Sequence, residues 1–122
     1  MKSLVLAAGL GLFSAFSAHA EPTYMIAQIQ VEDWDNYMKE YGSAALPVIL
    51  EQGGKVLVAA PEVEKLEGSW SGNLTVVLEF PSQENANAWY QSEEYQKAIP
   101  LRHKYASKST LVLAPGIVPP NQ

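Results

Sequence analysis

Apolar and mixed positions alternate along residues 24–31: Met25, Ala27, Ile29 and Val31 make one row, and Tyr24, Ile26, Gln28 and Gln30 the other. A period of two predicts a strand. The spacing then turns helical, with Trp34, Tyr37, Met38, Tyr41, Ala45, Val48 and Ile49 on one stripe and Asp33 placed to cap its start. Pro47 falls inside that stripe and predicts a kink or restart near Leu46, because it lacks an N–H and crowds the preceding turn. Gly53-Gly54 predicts a left-handed helix stop. Residues 55–60 form a short β-rich run, and residues 62–66, after Pro61, either prolong it or make a separate arm. Gly68, Gly72 and Asn73 bracket a turn around Trp70.

Residues 74–80 alternate again, with Leu74, Val76, Leu78 and Phe80 on one face and Thr75, Val77 and Glu79 on the other. Ser82 predicts a helix cap, followed by Ala86, Trp89 and Tyr90 on a buried side. Ser92 predicts a second start for a segment carrying Tyr95, Ala98, Ile99 and Arg102, whose continuity Pro100 puts in question. Residues 107–114 read as the last strand, and 115–122, with three prolines, as an extended mobile tail. The order βαββαβ predicts an α+β domain, an antiparallel four-stranded sheet with both helices on one face. The opposite face is too apolar for water and too polar for a plain core. A second sheet laid over it, in a homodimer, would bury it and enclose a pocket.

Composition limits the chemistry. Residues 4–16 are almost wholly apolar or small and are followed by Ala18-His19-Ala20, which predicts a signal peptide over residues 1–20, cleaved after Ala20, and a periplasmic location. The apolar run is shorter than the roughly 20 residues needed to span a bilayer, so no membrane association is expected after cleavage. The remaining 102 residues suffice for one domain, 21–114, with a modest core. Seven bases face thirteen acids after cleavage, a net charge of -6 that speaks against nucleic acid as a partner. Cysteine is absent, which excludes disulfides, thiol nucleophiles and thiolate metal sites. One histidine, His103, survives cleavage, too few for a conventional zinc or iron centre, and no cofactor is expected.

The residues Tyr24-Met25-Ile26-Ala27, Gln52-Gly53-Gly54-Lys55 after Pro47, Leu66-Glu67-Gly68 with Trp70, Leu78 to Ser82, and Ala88 to Ser92 with Glu94-Tyr95 together resemble the family called domain of unknown function 1330. That family lies in the dimeric α+β-barrel, ferredoxin-like superfamily. The resemblance implies a ferredoxin-like fold and a homodimer. By analogy of fold alone it brings in cofactor-free monooxygenases, lactone isomerases and haem-handling enzymes. Gln52 stands where many relatives carry histidine, so chemistry needing that imidazole does not carry over.

The candidate catalytic pair is Glu79 and Arg102. Glu79 points to the barrel side, where burial would raise its pKa and suit it to acid or base work; the alternative is a structural acid before Pro81. Arg102, the only arginine, reads either as a fork for an anionic ligand or as an ion-pair partner of Glu93, Glu94 or Glu79. Gln28, Gln30, Trp70, Tyr95 and His103 are the candidate ligand contacts. Trp34, Tyr37, Tyr41, Trp89 and Tyr90 read as core or as the walls of an apolar cleft. The expected function is binding of a small apolar or anionic molecule, with cofactor-free proton abstraction or oxygenation as the chemistry if it is turned over. The alternative is a non-catalytic structural or interaction module.

Overall fold

A computed structural model describes residues 21–118; the expected leader, its expected cleavage point and the last four residues lie outside them. Strand β1 (Thr23–Val31) alternates strictly between buried and half-buried positions, as its sequence predicts. Strand β2 (Lys55–Ala60) coincides with the short β-rich run and is exposed from Lys55 to Ala59, while strand β3 (Leu74–Phe80) buries Leu74, Leu78 and Phe80 of its expected inner row. Strand β4 (Ala106–Pro115) is longer than expected at both ends. Pro115 pairs with Thr23, and the Gly116 N–H donates to the Pro22 carbonyl at 2.8 Å. The start of the tail is therefore tied to the sheet rather than loose.

The strands lie in the order β2-β3-β1-β4, every neighbour antiparallel. This is the expected α+β sheet. Residues 61–73 contain no strand, so the arm reading holds over the prolonged strand. The arm is anchored at its end: Gly72 adopts φ 86°, and a Cβ there would lie 2.5 Å from the Ile29 carbonyl oxygen. Asn73 then takes over where the β1–β3 ladder stops. Its Nδ2 donates to the Val31 carbonyl at 2.9 Å, and its Oδ1 accepts from the Val31 N–H at 2.7 Å.

The first helical run has three parts: a single turn α1 (Trp34–Asn36), a π-helical segment (Tyr37–Gly42) and α2 (Ser43–Glu51). Asp33 caps it, accepting from the Asn36 N–H at 3.1 Å. The break expected near Leu46 occurs one turn earlier. The Ser43 N–H reaches back to the Met38 carbonyl, while the Ser43 hydroxyl donates to the Lys39 carbonyl. The widened turn absorbs the displacement that Pro47 imposes on the residues before it, and α2 runs through the proline unbroken. Gly53, at φ 79°, ends the run by donating to the Leu50 carbonyl at 3.0 Å, and Gly54 donates to that of Ile49 at 2.9 Å.

Helix α3 (Gln83–Gln91) is capped by Ser82, and α4 (Glu93–Tyr105) by Ser92. Helix α4 passes through Pro100 without interruption. Its buried positions Tyr95, Ala98, Arg102 and Tyr105 lie on one stripe on both sides of the proline, so packing holds what the lost N–H would release. The helices cover the Met25-Ala27-Ile29-Val31 side of the sheet, and Phe80, Trp89 and Tyr95 form the centre of the core. Trp89 packs against Tyr95 and Phe80 with ring centroids 4.4 and 5.3 Å away. Tyr90, expected on the buried side of α3, is 39% exposed instead. No helix among the described residues is long and apolar enough to cross a membrane.

Candidate functional site

The main cavity lies between the helices and the sheet and measures about 560 Å³. Its floor is the helix side of β1 and β3, with Ala27, Ile29, Leu74 and Val76. Trp34, Tyr37, Tyr41, Ala45 and Ile49 form the roof, and Trp89 lines it too. Small side chains at Ala27, Ala45 and Ala59 leave this space unfilled. It opens over β2, whose residues from Lys55 to Ala59 are exposed and on which no helix rests. The volume falls within the roughly 300–1,000 Å³ of small-molecule pockets.

Behind the roof sits a buried polar cluster. Arg102 is only 4% exposed. Its Nη1–H donates to the Tyr95 hydroxyl at 2.6 Å, its Nε–H donates to Ser109 Oγ at 3.2 Å, and its guanidinium carbon lies 5.8 Å from the centre of the Tyr41 ring. The Tyr95 and Tyr41 hydroxyls are 2.7 Å apart. No carboxylate of the described residues lies within ion-pair distance of Arg102; the ion pair found among them is Lys97–Glu93, on the surface. The ion pairs expected with Glu93, Glu94 or Glu79 are thus replaced by phenol oxygens and an aromatic face.

The structure separates the candidate catalytic pair. Glu79 lies on the other side of the sheet from the cavity, where its Oε2 accepts from the Tyr24 hydroxyl at 3.0 Å. That bond pushes the Tyr24 phenol above its ordinary value. One protomer therefore cannot bring Glu79 and Arg102 to a single reacting atom. Gln28 and Gln30 share the bare face with Glu79 and are half-buried. Trp70 is 44% exposed, its indole N–H held by Thr75 Oγ1 at 2.8 Å, and it lies outside the main cavity. Tyr95 is wholly buried behind the cavity wall, and His103 is exposed. Of the aromatic side chains, Trp34, Tyr37, Tyr41 and Trp89 line the cavity, whereas the candidate ligand contacts Trp70 and Tyr95 do not. Among the described residues no three His, Cys, Asp or Glu side chains converge on one point.

The model of the family described as a domain of unknown function, DUF1330, matches residues 22–117. The chain belongs to the DUF1330 family. Among curated proteins none matches this DUF1330 chain. A solved protein of unknown function from Rhodopseudomonas palustris superposes with a TM-score of 0.67 at 20% identity, over 89% of this chain and 94% of that one. A protein from Nitrosomonas europaea, named as a candidate antibiotic biosynthesis monooxygenase, superposes with a TM-score of 0.55 at 8% identity, over 82% and 94%. A third, described as a dimeric protein of unknown function with a ferredoxin-like fold, from Bacteroides fragilis, gives 0.52 at 12% identity, over 78% and 96%. These likenesses establish the ferredoxin-like fold of the DUF1330 chain.

The buried phenols make stability sensitive to alkali. Burial pushes Tyr37 and Tyr95 well above their ordinary values; Tyr41 adds to both shifts, and Arg102 works against them. Folded-state values above the unfolded ones mean that the stability these groups contribute is complete below about pH 10 and is lost as pH rises. Above that pH the unfolding free energy of the DUF1330 chain is expected to fall by up to about 2.8 kcal/mol per pH unit for the two groups together. Denaturant titrations at stepped pH, with phenolate absorbance followed alongside, check this. A flat profile to pH 12 would show that both phenols ionise freely in the folded chain.

Proposed function

We propose that this protein is an exported, homodimeric binder of a small, mostly apolar molecule, held in the cleft between its helices and its sheet. The cavity of about 560 Å³, walled by aromatic and aliphatic side chains, carries the reading. A void of that size in a chain of this length forgoes packing contacts that a filled core would make, and a ligand restores them.

The dimer is supported by the bare face of the sheet. Val58, Val77, Ile26 and Val112 are in register across all four strands and form one aliphatic row, Val58 and Val112 being 39% and 50% exposed. The neighbouring row, Ala60, Thr75, Gln28 and Thr110, is more polar. A band of this kind suits a second copy of the same surface in a two-fold pair. The dimeric relative from Bacteroides fragilis agrees with it. Export is supported by the apolar leader ending in Ala18-His19-Ala20, and a periplasmic mass beginning at Glu21 checks it.

Trp34 and Trp89 line the cleft and make tryptophan fluorescence a direct readout. A neutral bicyclic probe such as naphthalenemethanol is expected to quench it saturably. Ala45→Trp, which fills the cleft from α2, is expected to abolish the saturable phase while leaving the far-ultraviolet circular dichroism unchanged. Quenching that stays linear in the wild-type protein, or saturates equally in Ala45→Trp, would remove the cleft as a binding site.

A further inference from the structure

The proton count around Arg102 specifies what sort of molecule the cleft accepts. A guanidinium has only donors, so at the 2.6 Å contact with Nη1 the Tyr95 oxygen accepts. Tyr95 is wholly buried, and its other recorded partner is the Tyr41 oxygen at 2.7 Å. If Tyr41 donated across that contact, the Tyr95 proton would be left in the core with no acceptor, a costly arrangement. The order is therefore Arg102 to Tyr95 to Tyr41, and the Tyr41 proton is left over. Burial keeps Tyr95 in its protonated form, consistent with that order.

Tyr41 lines the cavity, and no acceptor for its proton is found among the described residues. Trp89 lines the same cavity, but its Nε1–H is buried beyond the reach of a water-sized atom and so offers the cleft no donor. Arg102, behind Tyr41, has no carboxylate partner among the described residues. A free phenol donor with an uncompensated positive charge behind it, in walls otherwise nearly all apolar, is complementary to one negatively charged oxygen.

Resting on the reading that the cleft binds a small molecule, we propose that its ligand carries a single anionic oxygen, as in a carboxylate or an ionised phenol, on an apolar ring body. Tyr41 is the donor to that oxygen. Arg102 is a positioning residue: it fixes Tyr41 as an outward donor through Tyr95 and supplies the charge that favours an anion.

The test compares naphthoate with naphthalenemethanol, an acid and a neutral alcohol on the same ring system, by tryptophan-fluorescence titration at neutral pH. The wild-type protein is expected to bind the acid at least about tenfold more tightly, the scale of one hydrogen bond to a charged group. Tyr41→Phe is expected to weaken the acid by about tenfold and to leave the alcohol within about twofold. Equal affinities for the two probes in the wild-type protein would overturn the proposal without the need of any variant, and so would an equal loss for both in Tyr41→Phe. Binding of the alcohol alone overturns the anion preference and keeps the apolar cleft. Binding of neither overturns both.

Discussion

Replacing Trp89 by alanine is expected to lower the unfolding free energy by about 3–5 kcal/mol, the range for truncating a large buried aromatic. The side chain is 1% exposed and packs at once on Phe80 from β3, on Tyr90 from its own helix and on Tyr95 from α4. Its loss also merges new space with a cavity that Trp89 already lines, so the surroundings have little reason to collapse inward. For a domain of this size, whose total stability is on the order of 5–15 kcal/mol, the variant sits close to the unfolding threshold. Trp34→Ala is the control: at 36% exposure it lines the same cavity from the rim. It is expected to cost about 1 kcal/mol or less. Urea titrations of both variants check the contrast, and similar costs would show that Trp89 is not the packing centre that its ring contacts indicate.

The second large effect concerns assembly. Val77→Lys places an ammonium in the middle of the aliphatic row Val58-Val77-Ile26-Val112 and is expected to convert the proposed dimer to monomer. A two-fold interface meets the substitution twice, and burying an unpaired charge costs several kcal/mol each time. The dissociation constant should rise by more than about a hundredfold. Leu50→Lys, at a 57% exposed position of α2, should leave assembly unchanged. Sedimentation velocity across a dilution series reads both. A Val77→Lys protein that dimerises as the wild type does would place the interface elsewhere.

Most of the architecture was legible in the sequence because alternation and helical spacing report which side of an element faces the core. The four strands, the serine caps at Ser82 and Ser92, the Asp33 cap and the Gly53 stop all follow from local chemistry. The same alternation placed Glu79 on the bare face, where the structure has it. It says nothing about volume. The cleft exists because Ala27 on the sheet, Ala45 on the helix and Ala59 on β2 meet across it, and residues so far apart along the chain carry no common signal.

Arg102 shows a different limit. Sequence proximity offered Glu93 and Glu94 as partners, yet Glu93 pairs with Lys97 on the solvent side of α4. A clue was nonetheless present: Tyr95 and Arg102 are seven residues apart, two helical turns, and therefore share a face. The role of Tyr41 depended on the π-helical segment, which no residue pattern announced, and Ser109 became a partner only through the β4 register.

The irregularity in β2 has a consequence for behaviour at high concentration. Pairing with β3 slips between Val56 and Val58, leaving Leu57 as an extra residue on an outermost strand whose Val-Leu-Val run is open to solvent. A straight strand of that composition would be a template on which other chains could zip up into fibrils. The slip bends and twists the backbone there, so its free N–H and carbonyl groups no longer lie in the flat ladder that such stacking requires. The oily rim beside the cleft is thereby a poorer seed for aggregation than a regular strand of the same composition would be.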